Sequence, residues 1–329
     1  MTNGSARDSV PVTCVIASCN NIDTLRGAIL SVLNQSVPVR EIIVCDDAST
    51  DGSQDLISEI AASVNSIRPI FRTQNIGVSA NRDLAIRESK QPFVTQLDGD
   101  DLFARRKVEF EWAALSGRAD SVAYSYVAHL HPNRFWRSSV QNPAETVEDS
   151  MASPLELLLS RRGSIPRDML LAKSLYLETG GYHHEARLYE DWELKLRLAA
   201  MNVDWRHSGH LGTLYVQRIS SLSRANWNAH LEQLLEIMQR LDAVIRPILG
   251  EQKMRSAHNR LCALKPAFQA SRERGLEATT LEPEVSAEFA NNTPSLSRLF
   301  RSLRARIRFL RYYPKLWPLL RLNVHGQPE

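Results

Sequence analysis

The chain has 329 residues, 43% of them hydrophobic and 23% charged, with 40 basic against 37 acidic side chains and a net charge of +3. Those values exclude a disordered or fibrous chain and leave room for one large domain or two ordinary ones. No run of about 18 apolar residues occurs, which excludes a membrane-spanning helix of ordinary length.

Residues 1–10 are polar and lack the apolar stretch of a signal peptide, so a flexible N-terminus on a cytoplasmic protein is expected. Residues 12–17 (VTCVIA) are a β-branched apolar run that predicts a strand buried on both faces. SCNN follows, then a helix over 24–33 with Leu25, Ile29, Val32 and Leu33 on its apolar side. The pattern repeats with a strand at 41–45 (EIIVC), the polar run DDASTDGS and a helix over 54–62. A third strand is expected at 69–72, a third helix at 78–89 and a fourth strand at 93–97, ending at DGDD. This alternation predicts an α/β fold with a mostly parallel sheet and helices on both faces. Such sheets bind ligands beyond the carboxyl ends of their strands, where these polar runs lie.

Further along, a strand is expected at 121–129, a polar irregular connection at 132–153 and short helical pieces at 155–159 and 173–179. GGY stands at 180–182, a helix at 190–200 (EDWELKLRLAA), and two closing strands at 203–207 and 212–217. An amphipathic helix over 227–249 gathers Leu231, Leu234, Leu235, Met238, Leu241, Val244 and Ile245 on one face. Pro266 interrupts the next helical stretch, and residues 274–294 read as a linker. Cys14, Cys19, Cys45 and Cys262 lack metal or redox spacing, so free structural thiols in a reducing compartment are expected.

Four stretches could carry chemistry. In QLDGDD, Asp98, Asp100 and Asp101 crowd at a strand end, where like charges need solvent or a positive partner. A solvated turn is one reading, because Asp and Gly are common turn formers. The other is a divalent cation such as Mg²⁺ or Mn²⁺, typically held by one or two carboxylates plus substrate phosphates. In DDASTDGS, Thr50, Asp51 or Ser53 suits a helix cap, which leaves Asp46 and Asp47 available to a base or ribose. NIGVSANRD turns tightly into a helix and places Arg82 to pair with carboxylates or a diphosphate. Glu190 and Asp191 open a helix, where the dipole favours negative charge, and one of them could equally serve as a general base.

In this order, VTCVIASCN, IIVCDDASTDGS, NIGVSANRD, QLDGDD, GGY and YEDWELKLRLA resemble the family 2 glycosyltransferases, nucleotide-sugar-dependent enzymes of the GT-A fold. The resemblance spans residues 11–223. It implies a GT-A domain over 11–225 in which Ala17, Ser18 and Asn20 line the nucleotide pocket and Asp47 accepts from the base, with UDP the expected nucleotide. Arg82 falls where the family has an arginine. Asp98 would face the ribose and also belong to the metal pair with Asp100, which would hold Mn²⁺ or Mg²⁺ on the diphosphate. Asp191 would be the base of an inverting displacement, next to Glu190.

Departures accompany the resemblance. Ala17-Ser18-Cys19 replaces a proline–threonine–tyrosine-like stretch, so an aromatic that could stack on the base is missing. Asp83 stands where asparagine is usual, and Arg218 where histidine is frequent. An arginine there could neutralise diphosphate charge but is a poor metal ligand. QxxRW, the mark of processive synthases in the family, is missing, so a single addition to a glycan or lipid-linked acceptor is expected. The alternative is a catalytically silent nucleotide- or glycan-binding scaffold.

Beyond this domain, residues 226–290 read as a helical extension and 291–329 as a basic amphipathic tail. Within 295–322, apolar residues recur at helical spacing among eight Arg and Lys side chains, with Tyr312, Tyr313 and Trp317 as aromatics and no acidic residue. That composition suits an interfacial helix on anionic lipid, at the cytoplasmic face of a membrane, better than a nucleic-acid contact; a solvated helix packed on the catalytic domain is the alternative.

Overall fold

The computed structural model describes residues 8–130, 138–141, 153–159, 167–186, 188–216 and 227–262. Val12, Cys14, Val15 and Ile16 are wholly buried, as a strand without polar alternation must be. They lie on β1 (Val10–Ser18), which pairs in parallel with β2 (Val39–Asp46). β3 (Ile67–Phe71) pairs in parallel with β2 on the outside, and β4 (Phe93–Asp98) in parallel with β1 on its other side. The helices α1 (Ile22–Leu33), α2 (Ser53–Ser63) and α3 (Val78–Glu88) alternate with these strands. The expected elements of this half are all present, with bounds that differ by a few residues at most.

The chain thus runs outward from β1 to β3 and returns to the far side of β1, a reversal that opens a crevice at the strand ends. Register fixes what lines it. Ser18 pairs with Asp46, and Ala17 pairs with Asp98. Gly99 follows closely, donating its N–H to the Ala17 carbonyl at 2.8 Å. A Cβ at position 99 would stand 3.2 Å from that carbonyl oxygen, so the turn after β4 crosses β1 at backbone contact.

The sheet continues through β5 (Leu102–Phe103), β6 (Ser121–Leu130), β7 (Ser139–Gln141), β8 (Leu170–Ala172) and β9 (Asp204–Val216). Its order is β3-β2-β1-β4-β8-β6-β9-β5, with β7 on β6. β8 is antiparallel to both β4 and β6, and so joins the parallel half to the rest. The remaining helices are α4 (Lys107–Leu115), α5 (Pro154–Leu159), α6 (Lys173–Glu178), α7 (Glu190–Ala200), α8 (Trp227–Leu249) and α9 (Glu251–Cys262).

Three expectations are corrected here. The two closing strands at 203–207 and 212–217 are one strand, β9, whose ladder with β6 shifts register around Tyr126 instead of breaking. The connection at 132–153 is not wholly irregular, because β7 lies within it. On α8, Val244 is 49% exposed, and Ile237 takes a wholly buried place that the expected face omitted.

All four cysteines are free, as expected, with Cys14 and Cys45 buried and Cys19 and Cys262 exposed. Under the sheet, Lys107 and Glu111 form a buried ion pair at 2.6 Å, with Thr95 and Ser125 completing its hydrogen bonds. Burial pushes the Glu111 carboxyl up to about 7 against the pull of Lys107.

A second buried polar group fixes the approach to α7. Asp83 on α3 accepts from Arg87 Nε at 2.8 Å, Tyr176 Oη at 2.7 Å and the Tyr182 N–H at 3.2 Å. His184 Nε2 lies 2.8 Å from the same carboxylate. Burial alone would raise this carboxyl, but the bonds from Arg87, Tyr176 and His184 hold it below the usual range. Gly181 (φ +81°) makes the arrangement possible, since a Cβ there would meet Asp83 Oδ1 at 2.2 Å. Gly180 (φ +91°) has only Arg197 Nη1 near, at 3.8 Å. Alanine at either position should cost about 1–3 kcal/mol for the left-handed backbone alone. Gly181→Ala is expected to lose clearly more than Gly180→Ala in urea denaturation; equal losses would mean that Asp83 yields freely.

Candidate active site

The adjacent acids after β2 divide their work. Asp46 Oδ1 accepts from the Ser49 N–H at 2.8 Å and from Gln54 Nε2 at 2.9 Å, closing the DDAST turn on itself. Asp47 accepts from the Ile76 and Gly77 N–H groups, each at 2.9 Å, and pins the turn into α3 beside the strand end. Each Asp47 oxygen retains a second lone pair for a ligand. Asp51 accepts from Ile22 N–H at 2.9 Å and Ser53 N–H at 3.0 Å, tying together the starts of α1 and α2. Of the candidate helix caps, Asp51 thus does the bonding, although Gly52 holds the cap position of α2.

At the end of β1, Asn20 is held at φ +52°, and its Oδ1 accepts from the Thr50 N–H at 2.9 Å. Ser18 is buried, and its hydroxyl has no hydrogen-bond partner among the described residues. A buried hydroxyl without a partner is unfavourable, so Ser18 marks a place where a ligand atom would be welcome. Ala17, Ser18, Asn20 and Asp47 therefore share one edge with the aspartates after β4.

Arg82 organises the centre. Its side chain is wholly buried, donating through Nη1 to Glu190 Oε1 at 2.9 Å and through Nη2 to Asp98 Oδ1 at 2.5 Å. One guanidinium thereby joins the end of β4 to the start of α7, two segments distant in the chain. The planar fork of arginine suits this double duty better than a point charge would. Tyr182 covers it, with its ring centre 5.5 Å from the guanidinium carbon.

The crowding of Asp98, Asp100 and Asp101 has a positive counterweight inside the chain. Arg167 Nη2 lies 2.5 Å from Asp98 Oδ2 and 3.5 Å from Asp101 Oδ2. Asp98 is thus clasped by two arginines, and part of the positive partner that the crowded charges need comes from the chain itself. Asp101 is buried and accepts from the Val216 N–H at 3.0 Å. Burial, reinforced by the charges of Asp100 and Asp98, pushes its carboxyl well above the usual range.

Oxygen atoms of Asp98, Asp100 and Asp101 all lie within 4.8 Å of one another. This all-carboxylate donor set, crowded within 4.8 Å, suits a hard divalent cation. The cluster could hold a divalent cation.

At the mouth of α7, Glu190 and Asp191 are differentiated. Burial and the neighbouring Asp191 raise the Glu190 carboxyl, against the pull of Arg82. Asp191 would also be raised by burial, but Lys195 and then Arg167 hold it down to about 2. Lys195 Nζ donates to Asp191 Oδ2 at 2.7 Å. Asp191 is therefore ionised and keeps 27% of its side chain exposed, while Glu190 is buried against Arg82.

Sequence reasoning did not find Arg167 or Lys195. Lys195 sits one helical turn beyond Asp191, a spacing that could have suggested the pair. Arg167 lies in SIPRDML, where no periodicity or spacing draws attention to it. Arg218 lies outside the described residues.

The sequence profile of glycosyl transferase family 2 matches residues 13–190, more than half of the chain. The chain belongs to glycosyl transferase family 2. It is 37% identical over 90 residues to the cholesterol galactosyltransferase of Borreliella burgdorferi, which covers 27% of this chain and 25% of that protein. Over 99 residues it is 34% identical to the Escherichia coli UDP-Glc:alpha-D-GlcNAc-diphosphoundecaprenol beta-1,3-glucosyltransferase WfaP, covering 30% of this chain and 38% of that one. The chain spans less than half the length of these curated relatives. In three dimensions it is similar to S. aureus TarS 1-349 in complex with UDP-GlcNAc, with a TM-score of 0.60 over 95% of this chain and 86% of that chain. At 15% identity that likeness establishes the GT-A fold and nothing finer.

Proposed function

We propose that this family 2 glycosyltransferase moves a sugar from a nucleotide diphosphate sugar to a hydroxyl of a glycan or lipid-linked acceptor, in one inverting step. The observation that supports the reading is Arg82, which joins Asp98 of DGDD and Glu190 of the ED pair on one buried guanidinium. UDP is the proposed nucleotide, in keeping with the donor named for WfaP and the ligand of the TarS complex.

In this reading Ala17, Ser18, Asn20 and Asp47 receive the nucleoside at the carboxyl edge of β1 and β2, and Asp98 faces the ribose. A divalent cation held by Asp100 and Asp98 would supply charge neutralisation to the departing diphosphate. Asp191 takes the acceptor proton. An ionised carboxylate of low basicity suffices because the attacking hydroxyl becomes strongly acidic as its oxygen bonds to carbon. Glu190, locked on Arg82, fixes the first turn of α7 and with it the direction in which Asp191 points. Arg218 is proposed to meet the diphosphate from the segment after β9.

Thermal shift with UDP, Mn²⁺ and both together tests the reading, as does hydrolysis of UDP-sugars without acceptor. Stabilisation is expected to be greatest with both, and slow donor hydrolysis should follow. A protein that binds UDP yet never hydrolyses any donor would favour the silent scaffold instead.

Among the described residues no helix is long and apolar enough to cross a membrane. Residues 295–322 lie outside the described residues, and their proposed role on an anionic membrane at the cytoplasmic face rests on composition. Sedimentation with vesicles containing anionic lipid should fall strongly on removal of residues 295–329; equal binding by both forms would discard the tail as an anchor.

A further inference from the structure

Arg167 has no part in the mechanism above, yet it is placed as firmly as the residues that do. Its backbone is held from two strands: its carbonyl accepts from Gln96 Nε2 on β4 at 2.8 Å, and its N–H donates to Tyr215 Oη on β9 at 3.3 Å. Tyr215 is itself anchored, donating to Asp168 Oδ1 at 3.1 Å. The guanidinium carbon lies 5.8 Å from the centre of the Tyr215 ring, and the head reaches Asp98 and Asp101 through a single nitrogen, Nη2.

Two facts make this contact provisional. Asp98 is already neutralised through its other oxygen by Arg82, which is wholly buried and fixed by Glu190 as well. Arg167, by contrast, is 21% exposed and is held at its head by one nitrogen alone; its buried Nε, like that of Arg82, has no hydrogen-bond partner among the described residues. A guanidinium that spends one nitrogen on two carboxylates and leaves another unsatisfied is poorly used, since its fork geometry is made for two parallel bonds to one oxyanion. A divalent cation on Asp98 would also be repelled by Arg167 at its present distance.

We infer that Arg167 is a further donor-binding residue: it holds Asp98 Oδ2 until the donor arrives, and releases it to the cation when it turns to the donor's phosphates. The inference rests on the reading of this cleft as a nucleotide diphosphate sugar site. Arg167 and the cation are then rivals for one carboxylate when alone, and allies around one diphosphate when the donor is bound. Because Arg82 remains on Asp98, loss of Arg167 leaves that carboxylate paired.

Calorimetric titration of the full chain separates the two effects. Arg167→Gln is expected to bind Mn²⁺ alone more tightly than wild type, while binding UDP with Mn²⁺ roughly tenfold or more weakly, the loss typical of a charged hydrogen-bonding partner. Arg167→Lys, which keeps the charge near Asp98 and loses the fork, should leave Mn²⁺ affinity near wild type and weaken UDP binding by less. Circular dichroism melting identifies any variant that fails to fold, and the Lys variant then carries the comparison. If the wild type binds UDP with Mn²⁺ and both variants match it, the role of Arg167 is overturned while the cleft assignment stands. If Mn²⁺ binds Arg167→Gln no better than wild type, the rivalry is overturned. A wild type that binds neither UDP nor Mn²⁺ overturns the cleft assignment and this inference with it.

Discussion

Replacing Asp191 with Asn should lower turnover by roughly 10²–10⁴-fold, the range for loss of a positioned general base, and leave nucleotide affinity nearly unchanged. The geometry supports so selective a change. The amide oxygen of the introduced asparagine could still accept from Lys195 Nζ, so the buried ammonium, 7% exposed, keeps a partner. Nothing in the substitution touches Arg82, Asp98 or the edge of β1. Single-turnover rates and UDP calorimetry on the same preparation check it; a matching loss of UDP binding would show that Asp191 belongs to the nucleotide site and not to the acceptor side.

The second large effect concerns stability. Arg82→Met should destabilise the fold by about 3–5 kcal/mol, because breaking a buried ion pair strands the remaining charge. Asp98 keeps Arg167, so the loss falls mainly on Glu190, which is 9% exposed and would lose its hydrogen-bonded cation, keeping only the weaker pull of Arg167. The deficit should depend on pH. Burial already raises the Glu190 carboxyl above its ordinary 4.5 despite Arg82, and removing Arg82 raises it further. The native state of the variant then holds a proton that the unfolded chain releases near 4.5. Stability is least impaired below that value and falls as pH rises through the raised native one. Urea denaturation at about pH 5 and about pH 8 should show the larger deficit at the higher pH, and adding Glu190→Gln should recover part of it. A deficit equal at both pH values would place the loss elsewhere.

Much of this architecture was legible because charge and hydrophobic run meet so sharply in the sequence. VTCVIA and EIIVC are apolar to their last residue and then turn acidic or polar, so strand, strand end and crevice were readable together. The helix over 190–200 and that over 227–249 coincide with α7 and α8 because their apolar spacing is long enough to be unambiguous. Short elements were not readable: β5 has two residues and β8 three, too few for any period. The helix α4 was hidden because Lys107 and Glu111, its most buried polar residues, look like solvent-facing ones in sequence. Within β9, Ser208, Gly209 and His210 resemble a turn, but the ladder with β6 resumes beyond them. At the site, the acidic residues announced themselves by position, whereas their basic partners did not. Pairing is a property of the folded chain, and Arg167 meets Asp98 only after β4, β8 and β9 have assembled.

That dependence has a consequence for how the protein is made. Arg82 sits in the first third of the chain and Glu190 more than a hundred residues later, and they share a buried bond. A nascent chain that has emerged only through β4 would have to inter a guanidinium with half of its complement still missing. The N-terminal half is thereby discouraged from closing early, and α7 becomes the keystone whose arrival completes the charge balance around Arg82, with β9 following to close the sheet.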